Sequence, residues 1–146
     1  MGQQYDPDRL IEIIREGSER YGEVDDHFYV DYARGCGQAG LRKLAEIING
    51  QIDEADESIA VYGAILIIRL HLPGRVAVIR EILNLPFRYP GVRDEVWGFI
   101  LDNAKEIREF LEDEEFIAAV RRLETGSGWV NRVIAEFLEE SEKRRK

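Results

Sequence analysis

The stretch IAVYGAILIIRLHL, residues 59–72, is the longest apolar run of the sequence, and it constrains the fold more than any other feature. It is 14 residues long and contains Arg69 and His71, so it is too short and too charged to span a bilayer. Its β-branched residues would also suit a buried strand, but its length and its acidic, serine-containing start favour a helix. A helix that is apolar on nearly every side must be covered by other elements. The run therefore predicts a central core helix that ends at Pro73 and Gly74.

The remaining segments carry the one-sided pattern of amphipathic helices. Asp6 is a candidate N-cap for the first of them, and Ser127 for the last. The last segment is the clearest, because its apolar residues recur at helical spacing opposite a charged face: Trp129, Val130, Val133, Ile134, Phe137 and Leu138. No segment shows a convincing strand alternation. We therefore expect an all-α fold, a single compact domain over residues 1–146 with seven to eight short helices, for which an irregular α-solenoid is one possible arrangement.

The charge of the chain is acidic and unevenly distributed. The sequence has 20 basic and 29 acidic residues, and the basic tail at 143–146 holds four of the basic ones. Residues 1–142 therefore carry 16 basic against 29 acidic groups, a charge of −13. A body this acidic repels nucleic-acid phosphates and anionic lipids and attracts basic proteins. We expect a basic protein partner, no nucleic acid and no membrane, and we interpret the tail as a solvated end that complements the last helix dipole.

The start of the sequence, MGQQYDPDRL, lacks a basic region followed by an apolar run. It therefore predicts no signal peptide, and we expect a cytoplasmic protein. The single cysteine, Cys36, excludes an intramolecular disulfide and says nothing firm about the compartment.

A G-x-G-x-x-G pattern lies at Gly35, Gly37 and Gly40, within YARGCGQAG. The favoured interpretation is a break between helices, in which Gly35 or Gly37 adopts a positive φ. Gly40 would then allow the next helix to pack closely. A small-molecule or nucleotide site at the Gly35–Gly40 turn is the alternative.

A dinucleotide site needs such a pattern between a strand and a helix, with an acidic residue about twenty positions later. Acidic residues do follow at a tolerable distance, in DEADE. The preceding HFYVDYAR is the difficulty, because a strand there would bury Asp31 and Arg34, and no further parallel strand follows. We predict no cofactor.

No catalytic or metal-binding pattern is complete. His27 and Asp31 would share one face of a helix, but a closed metal site needs about four ligands, and Cys36 or Asp25 would have to join without a recognised spacing. Cys36 could have a lowered thiol pKa near a helix start. Neither histidine is placed near it by the sequence, so an inert thiol is favoured. We predict no metal site and no enzyme.

Two kinds of segment are candidates for binding a partner. The loop LPFRYPG places Phe87, Arg88 and Tyr89 between two prolines, which makes the segment stiff and extended. Aromatic and arginine side chains are favoured at protein interfaces, although Phe87 and Tyr89 could instead close the core between helices. The acidic clusters before two helices are the other candidates: Asp53, Glu54, Asp56 and Glu57, and Glu112, Asp113, Glu114 and Glu115. Acids at these places also favour the helix dipole and stay solvated.

The segment PGVRDEVWGFILDN resembles the second helix of a HEAT-like repeat, in which a proline-containing turn leads to Val-Arg and then to apolar residues every three or four positions. The earlier segment LPGRVAVIREIL has the same Pro-Gly, a Val–Arg pair and an Ile/Leu end. The resemblance covers roughly residues 59–103. It implies helix pairs that present surfaces to other proteins.

The sequence as a whole predicts a small acidic protein-binding module that engages a basic protein partner. An immunity or antitoxin-type inhibitor, which masks a cationic nuclease toxin, is a concrete form of this hypothesis. Two alternatives stay open. One is a small-molecule or nucleotide-binding protein that uses the Gly35–Gly40 turn. The other is a structural subunit of a homo-oligomer, with part of the apolar face of the last helix as its interface.

Overall fold

The computed structural model describes residues 5–20, 27–49, 57–87 and 89–145, with the backbone alone at Glu57 and Arg145. These residues form nine α-helices: Leu10–Glu19 (α1), His27–Gly35 (α2), Gly37–Ile48 (α3), Glu57–Ile68 (α4), Arg75–Leu83 (α5), Pro90–Ala104 (α6), Arg108–Leu111 (α7), Glu114–Arg121 (α8) and Gly128–Arg145 (α9). A short 3-10 turn, Pro7–Arg9, leads into α1, and the Asp6 side chain caps it. No strand occurs in these ranges, so the predicted all-α fold is confirmed.

Helix α4 lies at the centre of the fold and packs against α1, α3 and α6. Its side chains are buried on nearly every side, and those of Ala64, Leu66 and Ile67 have no exposed surface. Buried side chains from α1 through α9 join in one hydrophobic core around it. The prediction of a central helix within one compact domain is confirmed.

The end of α4 differs from the prediction, because the helix stops at Ile68 rather than at Pro73. The side chain of Arg75 stabilises this earlier end. It is only 5% exposed, and its Nη1 donates hydrogen bonds to the backbone oxygens of Ile68 (3.1 Å) and Leu70 (2.9 Å). Its Nε pairs with Glu109 at 2.7 Å. A buried cation thus satisfies carbonyl groups that the helix end leaves without intrahelical partners.

Helix α9 closes the other side of the core and packs against α6, α7 and α8. Its N-terminus is capped as predicted, since the Ser127 hydroxyl accepts a hydrogen bond from the amide of Val130 at 3.3 Å. Val130, Val133 and Phe137 are buried. These three side chains are therefore core, while Trp129, Ile134 and Leu138 are only partly buried against it. An oligomer interface on part of this face stays a prediction.

The junction between α2 and α3 confirms the helix-break interpretation of the glycine pattern. HFYVDYAR, which the sequence left open, is helical, and Cys36 alone separates α2 from α3. Gly37 has a φ of 65°, a backbone conformation that glycine adopts without strain. A Cβ at Gly40 would lie 2.6 Å from the backbone oxygen of Ala33 and 2.8 Å from the Cβ of Cys36. Gly40 therefore lets α3 pack directly against the end of α2.

Replacing Gly40 with alanine is expected to destabilise the fold, because the nearest obstacle is backbone that cannot turn aside. Overpacking of this kind lowers the free energy of unfolding by about 1–3 kcal/mol. Gly91 gives a matched control, since a Cβ there meets nothing within 4 Å and α6 continues through it. Gly91→Ala should be neutral or stabilise by about 0.4–1 kcal/mol. Urea titration of both variants measures the difference, and equal midpoints would contradict the close packing of α2 and α3.

Candidate functional site

The Gly35–Gly40 segment spans the end of α2 and the start of α3, and a helix precedes it where a dinucleotide motif requires a strand. Burial raises the pKa of the Cys36 thiol, and the nearby Asp6 carboxylate raises it further. The possibility of a lowered thiol pKa is therefore wrong, and the favoured interpretation as an inert thiol gains support.

The His27–Asp31 pair does not develop into a metal site in the described ranges. Asp31 lies 3.0 Å from Arg34, one turn further along α2. Within the part of the chain that the structure describes, no three His, Cys, Asp or Glu side chains come close enough to hold a metal ion. Asp25 lies outside those residues.

The loop between α5 and α6 divides its two described aromatic residues between core and solvent. Phe87 is half-buried and packs against the hydrophobic core. Tyr89 is 61% exposed and immediately precedes α6. Arg88 lies outside the described residues. Tyr89 is therefore available to a partner, whereas Phe87 also helps to close the core as the alternative interpretation predicted.

The second acidic cluster, residues 112–115, already makes contacts within its own chain. Asp113 caps α8, because its carboxylate accepts a hydrogen bond from the amide of Phe116 at 2.7 Å. Glu112 pairs with Arg108 at 3.0 Å, and Glu115 pairs with Arg80 of α5. Glu114 also has an interaction partner. Glu112 and Glu115 keep 44% and 76% of their side-chain surface exposed, so they can still face a second molecule.

The first acidic cluster falls largely outside the described residues. Asp53, Glu54 and Asp56 are not described, and Glu57 is the first residue of α4. Their role as partner-binding residues stays a prediction.

A groove between α1, α4 and α6 was not predicted, and we call it the α1–α4–α6 groove. Its volume is about 300 Å³, and it is lined by Ser18, Ser58, Val61, Tyr62, Ile65, Glu95 and Phe99. Its walls are mainly apolar, and the Glu95 carboxylate brings a negative charge to them. Val61 and Ile65 are one turn apart on α4, as are Glu95 and Phe99 on α6. The lining residues are spread over three helices, so no local motif could have revealed the groove.

A more polar cleft lies between the end of α6 and α9. It has a volume of about 470 Å³ and is lined by Lys105, Glu106, Glu136, Glu139, Glu140 and Arg144. Lys105 lies 3.0 Å from both Asp102 and Glu136, and its hydrogen bonds to these carboxylates raise its pKa. These ion pairs neutralise part of the acidic charge of the cleft.

Comparison of the sequence with models of protein families, with curated proteins and with solved structures gives no match. The HEAT-like resemblance of residues 59–103 accordingly stays a prediction. None of the described helices combines the length and the apolar character that crossing a membrane requires.

Proposed function

We propose that this chain is a small acidic α-helical protein, without catalytic activity, that binds a basic protein partner in the cytoplasm. The observation that carries the proposal is the location of its charge. Among the described residues, the buried polar or charged side chains are those of Arg75 and Ser141. No Asp or Glu whose side chain is described is buried, so the acidic excess lies at the surface, where it can attract a basic protein.

A concrete form of the proposal is an immunity or antitoxin-type protein that masks a cationic nuclease toxin. Small size, acidity and a helical scaffold suit that task, because an inhibitor needs a complementary surface rather than a reaction centre. In this form the exposed Tyr89 acts as an anchor, and Glu112, Glu114 and Glu115 attract the partner. Tyrosine is among the side chains that contribute most to binding energy at interfaces.

The two alternatives have less support. Ligand binding at the Gly35–Gly40 turn would have to use a junction whose glycines already serve helix packing. A homo-oligomer would have to use a surface other than the buried side of α9. Affinity capture from native lysate, followed by mass spectrometry and by light scattering of the purified protein, separates the possibilities. One stoichiometric basic protein supports the proposal, whereas self-association without such a protein supports the oligomer.

Association with the basic partner is expected to slow as ionic strength rises. Raising the salt from about 50 to about 500 mM shortens the Debye length roughly threefold, which screens long-range attraction. The dissociation rate should change less, because close contacts set it. Stopped-flow or surface plasmon resonance measures both rates. An association rate that is indifferent to salt would remove the reason for expecting a basic partner.

Charge variants test which cluster faces that partner. Neutralising Glu112, Glu114 and Glu115 to glutamine should reproduce the effect of salt on the association rate if this cluster is at the interface. The matched comparison neutralises the acidic residues of the first cluster, Asp53, Glu54, Asp56 and Glu57, and measures the same association rate. Tyr89→Ala should instead speed dissociation, because it removes a close contact rather than a long-range charge.

A further inference from the structure

We infer that the α1–α4–α6 groove receives an arginine side chain that projects from the basic partner. The inference rests on the proposed function and adds to it the type of residue that is recognised and the place where it binds.

The walls of the groove suit the hydrocarbon part of an arginine. Val61 and Phe99 are partly exposed at the groove, and Ile65, which also lines it, is 8% exposed. Arginine can bury its methylene groups on such a surface while its charged end stays at the polar rim. Its planar guanidinium can also stack on the ring of Phe99, which a compact lysine ammonium does less well.

Glu95 supplies a negative charge beside this apolar surface. It is half-buried in the wall of the groove, and it has no hydrogen bond or ion pair to its side chain in the described part of the chain. The preceding residue, Asp94, is by contrast engaged, since it accepts a hydrogen bond from Thr125 at 2.8 Å and lies 3.3 Å from Arg93. A carboxylate that has lost part of its hydration gains from a cationic partner more than a fully solvated one does.

The polar groups of the groove match the donors of a guanidinium. Its five N–H groups can bond the two oxygens of a carboxylate side by side and still reach further acceptors. The hydroxyls of Ser18 and Ser58 are such acceptors in the same groove. The charge of −13 on residues 1–142 would favour the approach of an arginine-rich surface from any direction. The groove then binds one arginine of that surface specifically.

The test uses a hexa-arginine peptide as the probe and hexa-citrulline, its neutral isostere, as the control. Amide chemical shifts of the full chain, labelled with nitrogen-15, are followed during titration at low salt. Shifts should concentrate at Ser18, Ser58, Val61 and Phe99. Glu95→Gln should weaken the binding of hexa-arginine by at least about tenfold, as loss of a charge-assisted hydrogen bond predicts. Glu139→Gln removes the same charge from α9 and should weaken binding by no more than about twofold.

The outcomes separate the groove from the proposed function. If hexa-arginine binds but the chemical-shift changes lie elsewhere, the groove is not the arginine site. The same holds if the Glu95 and Glu139 substitutions weaken its binding equally. Either result would leave the proposed function standing. Hexa-arginine that fails to bind at low salt would overturn both. Equal binding of hexa-citrulline would show that the positive charge is not recognised, which contradicts the inference that the groove binds arginine. Thermal melting of each variant controls for loss of fold.

Discussion

Replacing Arg75 with alanine is expected to lower the free energy of unfolding by roughly 3 kcal/mol or more, since each buried carbonyl that loses its partner costs about 1–3 kcal/mol. Two carbonyls are affected, those of Ile68 and Leu70, and both hydrogen bonds are buried. The guanidinium also lies 5.2 Å from the centre of the Phe110 ring, so its removal takes away packing as well. Urea-induced unfolding followed by circular dichroism measures the change.

Two control substitutions separate the carbonyl contacts from simple charge pairing. Glu109→Gln removes the charge that pairs with Arg75 but leaves both carbonyl contacts, and Glu109 is 55% exposed. Arg80→Ala removes another arginine of α5, whose partner Glu115 is 76% exposed. Arg80→Ala should cost less than about 1 kcal/mol, as exposed ion pairs do. Glu109→Gln should cost more than Arg80→Ala, because it leaves a buried cation without its counter-charge, but less than Arg75→Ala, because both carbonyl contacts remain. If Arg75→Ala is no more destabilising than these two, the end of α4 does not depend on the buried guanidinium.

The same arginine explains part of what the sequence could and could not predict. The central position of α4 followed from its apolar composition, because no partly solvated helix could carry residues 59–68. The end of the helix did not follow, since Pro73 and Gly74 were the visible stop signals. The helix ends earlier, and the side chain of Arg75 in the next helix bonds the carbonyls of Ile68 and Leu70. An arginine that satisfies the end of the preceding helix is not one of the usual stop signals.

Helix α2 was left open for a related reason. HFYVDYAR contains three aromatic residues and one valine, which favour strands when propensity alone is considered. Its buried residues Tyr29, Val30 and Ala33 have helical spacing, yet nine residues give too few turns for the period to stand out. Packing of α2 against α1, α3 and α4 selects the helix. Tertiary contacts thus override a weak local preference.

The candidate site shows the same limit more strongly. Tyr89 is exposed and Asp113 caps a helix, and both are local properties of their segments. The loop with Tyr89 was identified from its prolines, and the segment with Asp113 from its acidic residues. The α1–α4–α6 groove was not, because Ser18, Val61 and Glu95 come together only when three helices pack. A surface assembled from distant segments leaves no motif in the sequence.

Truncating Phe137 to alanine is expected to be the other large effect, a loss of about 3–5 kcal/mol in the free energy of unfolding. Phe137 has no exposed surface, and its ring centre lies 5.5 Å from that of Phe116. Phe116 in turn lies 4.9 Å from Phe110, so the substitution removes the end of an edge-to-face chain that joins α9 to α7 and α8. Such aromatic pairs add about 0.5–1.5 kcal/mol to the burial of their area. Calorimetry should show a melting temperature lower by roughly 10 °C or more.

Phe28 provides the matched control, because the same residue type on α2 is 60% exposed. Phe28→Ala should leave the melting temperature nearly unchanged, since substitutions at exposed positions change the free energy of unfolding by no more than about 0.5 kcal/mol. Size-exclusion chromatography of both variants distinguishes core from interface. If Phe137→Ala melted like the parent but a dimer dissociated, the apolar face of α9 would be an interface after all. The buried aromatic chain predicts the opposite, because a side chain enclosed by its own subunit can be removed only at the expense of that subunit's stability.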